Sequence, residues 1–246
     1  MNKNNNFSAN INSIYNIENK EKKKPKKQRN VGIDLIRILA MYGIILNHIL
    51  YQGKGLSKYK QYVKELLLLH SLSFWHNDGF VLISGVIGYK SNKYSNLLYL
   101  WLETIFYSVG IHLYFQKFKK NSIIVEKLSI EFFPVIYDRY WYFTQYFGMF
   151  LFLPIINKGI ASLTKYEHKL IVISTLGIFT FWRHYKNPKK DIFYLNRGYS
   201  SLWFITFFIT GSYIGKYNIN YSGKKRYFFV LYVYSYIYAV LFFIIN

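Results

Sequence analysis

The chain has 246 residues and a net charge of +21, from 32 Lys and Arg against 11 Asp and Glu. Hydrophobic residues make up 52% and aromatics 22%, a share of aromatic side chains that few soluble domains carry. The absence of cysteine excludes a disulfide framework, a Cys-based metal site and a thiol nucleophile. The six His form no close metal-ligand cluster, and there is no Gly-rich phosphate loop or nucleophile elbow.

Residues 1–30 are rich in Asn and Lys and are expected to be a disordered, basic tail. Within it, Lys20–Arg29 holds seven cationic residues. Such a run reads either as a nucleic-acid or nuclear-import patch or as the positive flank of a membrane span. The second reading is preferred, because an apolar segment starts at once. No nucleic-acid partner is therefore expected, and the tail is placed in the cytosol. Val31–Tyr51 has the length of a membrane helix and suits a retained signal-anchor.

This first segment carries the most informative pattern. Arg37 and His48 are eleven residues apart, which on a helix returns to nearly the same face about 16 Å along the axis. Asp34 shares that stripe. Ionisable groups at membrane depth cost at least about 2.5–3.5 kcal/mol each, so they usually face a cavity or a partner. The plainer alternative is that Arg37 snorkels to the headgroups with Asp34 as its ion pair, and that His48 sits at the far interface.

Further apolar stretches follow at 66–89, 94–115, 139–157, 168–184, 201–217 and 226–245, the fifth and sixth spans of the chain being short. The expected fold is all-α, a polytopic transmembrane bundle of about seven spans. A soluble helical domain is the alternative, but several segments lack the polar face it needs. The second span is interrupted by His76, Asn77, Asp78 and Gly79 and is expected to be broken or partly re-entrant. Glu103, near the middle of the third span, needs a partner there. Loop charges are similar on both sides, so the tail alone sets the orientation. There is no internal repeat.

Four segments in order resemble the acyltransferase-3 family, integral-membrane enzymes that O-acetylate polysaccharides. Asp34-Leu-Ile-Arg37 followed by His48 is similar to its Arg–ten residues–His signature. Phe80-Val-Leu-Ile-Ser84-Gly85 resembles its Phe-x-x-x-Ser-Gly motif. Tyr140-Trp141-Tyr142-Phe143 with Tyr146, Pro154 and Asn157 resembles its Trp-Phe…Tyr…Pro-x-x-Asn helix. Ser201-Leu202-Trp203-Phe204 leading to Gly211 and Gly215 resembles its Leu-Trp-Phe…Gly-x-x-x-Gly helix. The matches cover about 31–217. The family core has about ten spans, so a domain over 31–246 is expected to be shortened at its C terminus.

The resemblance implies transfer of an acyl group, most often acetyl from acetyl-CoA as donor substrate with no permanently bound cofactor, to a hydroxyl of a glycan or glycolipid. His48 would act as general base or carry the acyl group. Arg37 would hold the donor's phosphate or pantetheine, oriented by Asp34, with Arg139 a second anion contact or a span flank. Ser84 and Gly85 are read as helix packing rather than as a nucleophile. Trp141 and Trp203 are either interfacial anchors or the lining of an acceptor path. Asn47, about 100° from His48 around the helix, is a weak candidate for contact. Glu103 is expected to pair within the bundle more than to assist the site. The alternative function is a non-catalytic membrane protein, or one that depends on a partner chain or oligomer.

Overall fold

A computed structural model describes residues 30–91, 95–118, 128–186 and 191–218. The tail to residue 29 and the seventh apolar stretch, 226–245, lie outside them. The chain divides into two compact units, residues 1–34 and 35–246. In the described part of the first, Asn30 caps a helix, its Oδ1 accepting from the amides of Gly32 at 3.1 Å and Ile33 at 3.3 Å.

Among the described residues the fold is all-α. The helices are α1 (Val31–Tyr51), α2 (Gly55–Lys58), α3 (Val63–Leu72), α4 (His76–Gly88), α5 (Ser95–Phe118), α6 (Leu128–Glu131), α7 (Trp141–Ser162), α8 (Lys165–Lys186) and α9 (Ser201–Lys216), with single 3-10 turns at Lys60–Tyr62 and Asn196–Gly198. Two of them, α1 and α5, are long and apolar enough to cross a membrane. Both expose large apolar side chains along their length, including Leu35, Ile38, Tyr42 and Ile45 on α1 and Leu102, Phe106 and Tyr107 on α5. Lipid, unlike water, imposes no cost on such a surface.

The second apolar stretch is indeed two helices, but the break lies earlier than the sequence suggested. It falls at Ser73–Trp75, and His76–Gly79 are helical. The cause is local. The Ser73 hydroxyl and amide both donate to the carbonyl of His70, at 2.7 and 2.9 Å, and close the end of α3. The fifth apolar stretch lies within α8, a helix of 22 residues that extends beyond it at both ends. Its start is a capping box, in which the Thr164 amide and hydroxyl donate to Glu167 while the Glu167 amide donates back to Thr164 Oγ1.

The core of the larger unit is built on α9. Val81, Met149, Leu153, Ile160, Phe204 and Phe208 bury one another between α4, α7 and α9. Backbone approach is closest between α4 and α9. A Cβ on Gly85 would collide with the Phe208 carbonyl, one on Gly211 with that of Leu82, and one on Gly215 with that of Val86. Small residues at these three places let two helices meet along their backbones.

The three helices run parallel. At one end, Trp203 reaches Asp78 and Ser201 reaches Gln145. At the other, Tyr89 reaches Gly215, and the Lys216 ammonium donates to the carbonyls of Ile160 at 2.5 Å and Leu163 at 2.9 Å. Those are orphan acceptors at the C-terminus of α7, where a cation is favoured.

Candidate active site at the N-terminal ends of three helices

The parallel arrangement gathers the beginnings of α4, α7 and α9 at one end of the bundle. The end of α1 arrives there too. A Cβ built on Gly43 would stand 3.2 Å from the His76 Cβ and 3.6 Å from its Nδ1, so α1 packs directly on the start of α4. His48 lies just over one turn beyond Gly43 on the same helix. Among the described residues no group of three or more His, Cys, Asp or Glu is arranged to hold a metal ion.

His48 is exposed. The inward stripe of α1 is Ala40, Gly43, Asn47 and Leu50, at three- and four-residue spacing, with Ala40 and Leu50 buried. The imidazole is nevertheless held. Its Nδ1 lies 2.8 Å from Gln52 Oε1. An amide oxygen only accepts, so in the neutral ring this contact puts the proton on Nδ1 and leaves the lone pair on Nε2. A neutral imidazole in that tautomer is a competent general base.

Asp78 and Gln52 are the functional candidates that sequence reasoning passed over. Asp78 Oδ1 accepts from the indole Nε1 of Trp203 at 3.0 Å. Tyr199 is near enough to feel both Tyr51 and Asp78, and burial with these neighbours raises its phenol. Trp141 packs edge-on against Tyr199 with ring centres 4.4 Å apart. The two tryptophans therefore belong to one aromatic wall around the Asp78 end. The Tyr51 and His70 rings stand 4.7 Å apart beside it. An ionisable residue within an apolar stretch was the available signal for Asp78; its partner is 125 residues away.

The other predicted residues are distributed along the bundle. Ser84 donates to the Phe80 carbonyl at 2.9 Å and receives the Tyr146 hydroxyl at 3.5 Å. No His or carboxylate stands against it in these contacts, and Gly85 is packed against α9. Arg37 is half-buried on α1, about 16 Å from His48 by helical rise. Asp34 is half-buried in the first turn of that helix.

Arg139 sits at the His48 end, just before α7. Its Nη2 lies 2.5 Å from Glu131 Oε1, and its Nε donates to Oε2 at 3.5 Å. Glu131 is 4% exposed and also holds Ser108 and His112 of α5. Burial alone would raise this carboxyl. Hydrogen bonds from Arg139 and Ser108, with the guanidinium charge, outweigh it and hold the group below the usual carboxylate range. Glu103 is exposed on α5, and among the described residues no ion pair joins it to the bundle interior.

These features define a helical membrane protein with a His, Asp and aromatic cluster at one end. The model of the acyltransferase-3 family, an acyltransferase domain, matches residues 30–246, and the chain belongs to that family. In general terms it is a membrane acyltransferase. No curated protein and no solved structure matches it.

Proposed function

We propose that the chain is a multi-pass O-acetyltransferase that moves an acetyl group from acetyl-CoA to a hydroxyl of a glycan or glycolipid. The observation that carries this reading is the His48–Gln52 contact, which holds the imidazole through Nδ1 near the start of α4. In the reaction the acceptor hydroxyl gives its proton to Nε2. Its oxygen attacks the thioester carbonyl, the carbon–sulfur bond breaks, and the thiolate leaves and is protonated to free CoA. Gln52 keeps the imidazole in the required tautomer and is a positioning residue.

A seven-span topology fits the packing. If spans alternate in direction, the second, fourth and sixth point the same way, and α4, α7 and α9 do run parallel. With the basic tail in the cytosol, Arg37 lies toward the cytosolic face and His48 toward the other. Arg37 then receives the donor's phosphate or pantetheine, and the acceptor approaches the Trp141–Trp203 wall. Arg139 is at the far end from Arg37 and is committed to Glu131, so donor binding is assigned to Arg37 alone.

The test is transfer of labelled acetyl from acetyl-CoA to membrane glycan, comparing the unsubstituted chain with His48→Ala and Gln52→Leu. A loss of about 10²–10⁴-fold, the size of a general-base contribution, is expected in the first, and a smaller slowing in the second. Unchanged transfer in His48→Ala removes His48 from the mechanism.

A further inference from the structure

Asp78, in the first turn of α4, is half-buried, and its two oxygens stand in different places. Oδ1 accepts from the indole Nε1 of Trp203 at 3.0 Å. Oδ2 makes no hydrogen bond to the described residues and is open to solvent. No ion pair among the described residues neutralises the carboxylate. A partly desolvated carboxylate with a spare oxygen is costly to keep, and a hydroxyl brought by a ligand offsets that cost. Aromatic rings stand beside it. Gly198, at a φ of +93° that favours glycine, lets the turn before α9 pass close to the indole; a Cβ there would stand 3.3 Å from Trp203 Nε1. The next residue, Tyr199, packs edge-on against Trp141 and is 39% exposed. The open oxygen therefore lies next to an aromatic surface that reaches solvent.

We infer that Asp78 Oδ2 accepts a hydroxyl of an uncharged sugar unit of the acceptor, and that the same carboxylate turns acidic sugars away. The inference rests on the acyl-transfer reading and narrows its acceptor. The chemistry is complementary in two ways. A sugar ring has C–H faces and a rim of hydroxyls. The faces suit the electron-rich faces of Trp and Tyr, and each hydroxyl can donate to a carboxylate oxygen. A sugar carboxylate or phosphodiester brings no proton to that oxygen and sets like charge against it in a partly desolvated place. The Trp203 contact holds Oδ1, so Oδ2 keeps one orientation. Asp78 thus decides which acceptor binds, while proton removal stays with His48.

The experiment uses the full chain purified in detergent, labelled acetyl-CoA, and two probe acceptors with one backbone, dextran and carboxymethyl dextran. The pH is about 8, where a carboxyl is ionised. Salt at about 0.3 M screens the general attraction of a basic chain for polyanions. The unsubstituted chain is expected to use dextran at least about tenfold more efficiently, by kcat/KM per sugar unit. Asp78→Asn keeps an oxygen for the indole and is expected to bring that ratio close to one. Asp78→Ala is expected to raise the dextran KM about tenfold with kcat little changed. Thermal melting checks that each variant folds, and a purely structural role would affect both acceptors alike and leave the ratio in place. Equal use of the two polymers by the unsubstituted chain overturns the selection while leaving acyl transfer standing. So does a folded Asp78→Asn that keeps the full ratio. A folded Asp78→Ala with an unchanged dextran KM overturns the hydroxyl contact. Transfer to neither polymer overturns the acyl-transfer reading and this one with it.

Discussion

Replacing Glu131 by Ala should loosen the join between α5 and the segment that leads into α7. The carboxylate is 4% exposed and ties together Ser108 and His112 on α5 with Arg139 two residues before α7. Removing one member of a buried ion pair costs about 3–5 kcal/mol, largely because the other charge is stranded. Here the Arg139 side chain is 34% exposed, so water screens it after the loss. That puts the expected cost at the low end, about 3 kcal/mol, for a domain whose Tm moves by about 2–4 °C per kcal/mol. A fall of roughly 6–12 °C in detergent is therefore expected, and Arg139→Ala should overlap with it rather than add. The pH dependence has a fixed sign. The folded-state carboxyl is depressed, so its contribution is fully present above the unfolded carboxylate value of about 4.3 and is lost as pH falls through the folded one. Glu131→Gln should narrow its gap from the unsubstituted chain only at acidic pH. A Tm within 1 °C of the parent for Glu131→Ala, or additive losses with Arg139→Ala, would refute the clasp.

Two further outcomes follow from packing. Gly211→Ala forces a Cβ into the Leu82 carbonyl and should cost at least about 1–3 kcal/mol, read as lowered Tm, while Gly177→Ala, with open space at its Cβ, serves as the tolerated control. Equal melting of the two would deny the close α4–α9 contact. Glu103→Gln removes a charge from an exposed, apolar helix face, where a membrane-centred acid costs about 2.5–3.5 kcal/mol, and should leave stability unchanged or raised; a marked fall would mean that the assembled protein pairs this carboxylate.

What the sequence made legible was mainly set by local physics. The bounds of α1 follow from an uninterrupted apolar run with Asn30 before it, and structure and expectation agree there residue for residue. The helical spacing of Arg37 and His48 was likewise readable, since it depends on rise and twist alone. Which side of α1 faces inward was not. The small residues Ala40 and Gly43 mark the face that meets α4, and they carry Asn47 inward in place of His48. The break after Leu72 was anticipated from polar residues at 76–79, but the responsible group is Ser73, whose hydroxyl competes for a backbone carbonyl. Glu131 offered no signal at all, because its partners lie 23, 19 and 8 residues away and only the tertiary fold brings them to one carboxylate.

The break itself connects the backbone to the chemistry. Irregular backbone at membrane depth survives where protein or a wetted cavity covers it, and not where lipid does. Here the interruption lies immediately before His76, at the place where α1 brings up Asn47 and His48. It also gives α4 a fresh N-terminus at that point. Because α4, α7 and α9 run parallel, the three N-termini face the same end, and each contributes a partial positive charge of about half a unit. A thioester under attack places negative charge on its carbonyl oxygen, and oriented dipoles that need no rearrangement stabilise it at little further cost. A continuous helix in place of α3 and α4 would lack one of the three, and its His76 would have been one more residue inside a helix. The broken helix therefore turns a helix end toward the charge that forms beside it in the proposed reaction.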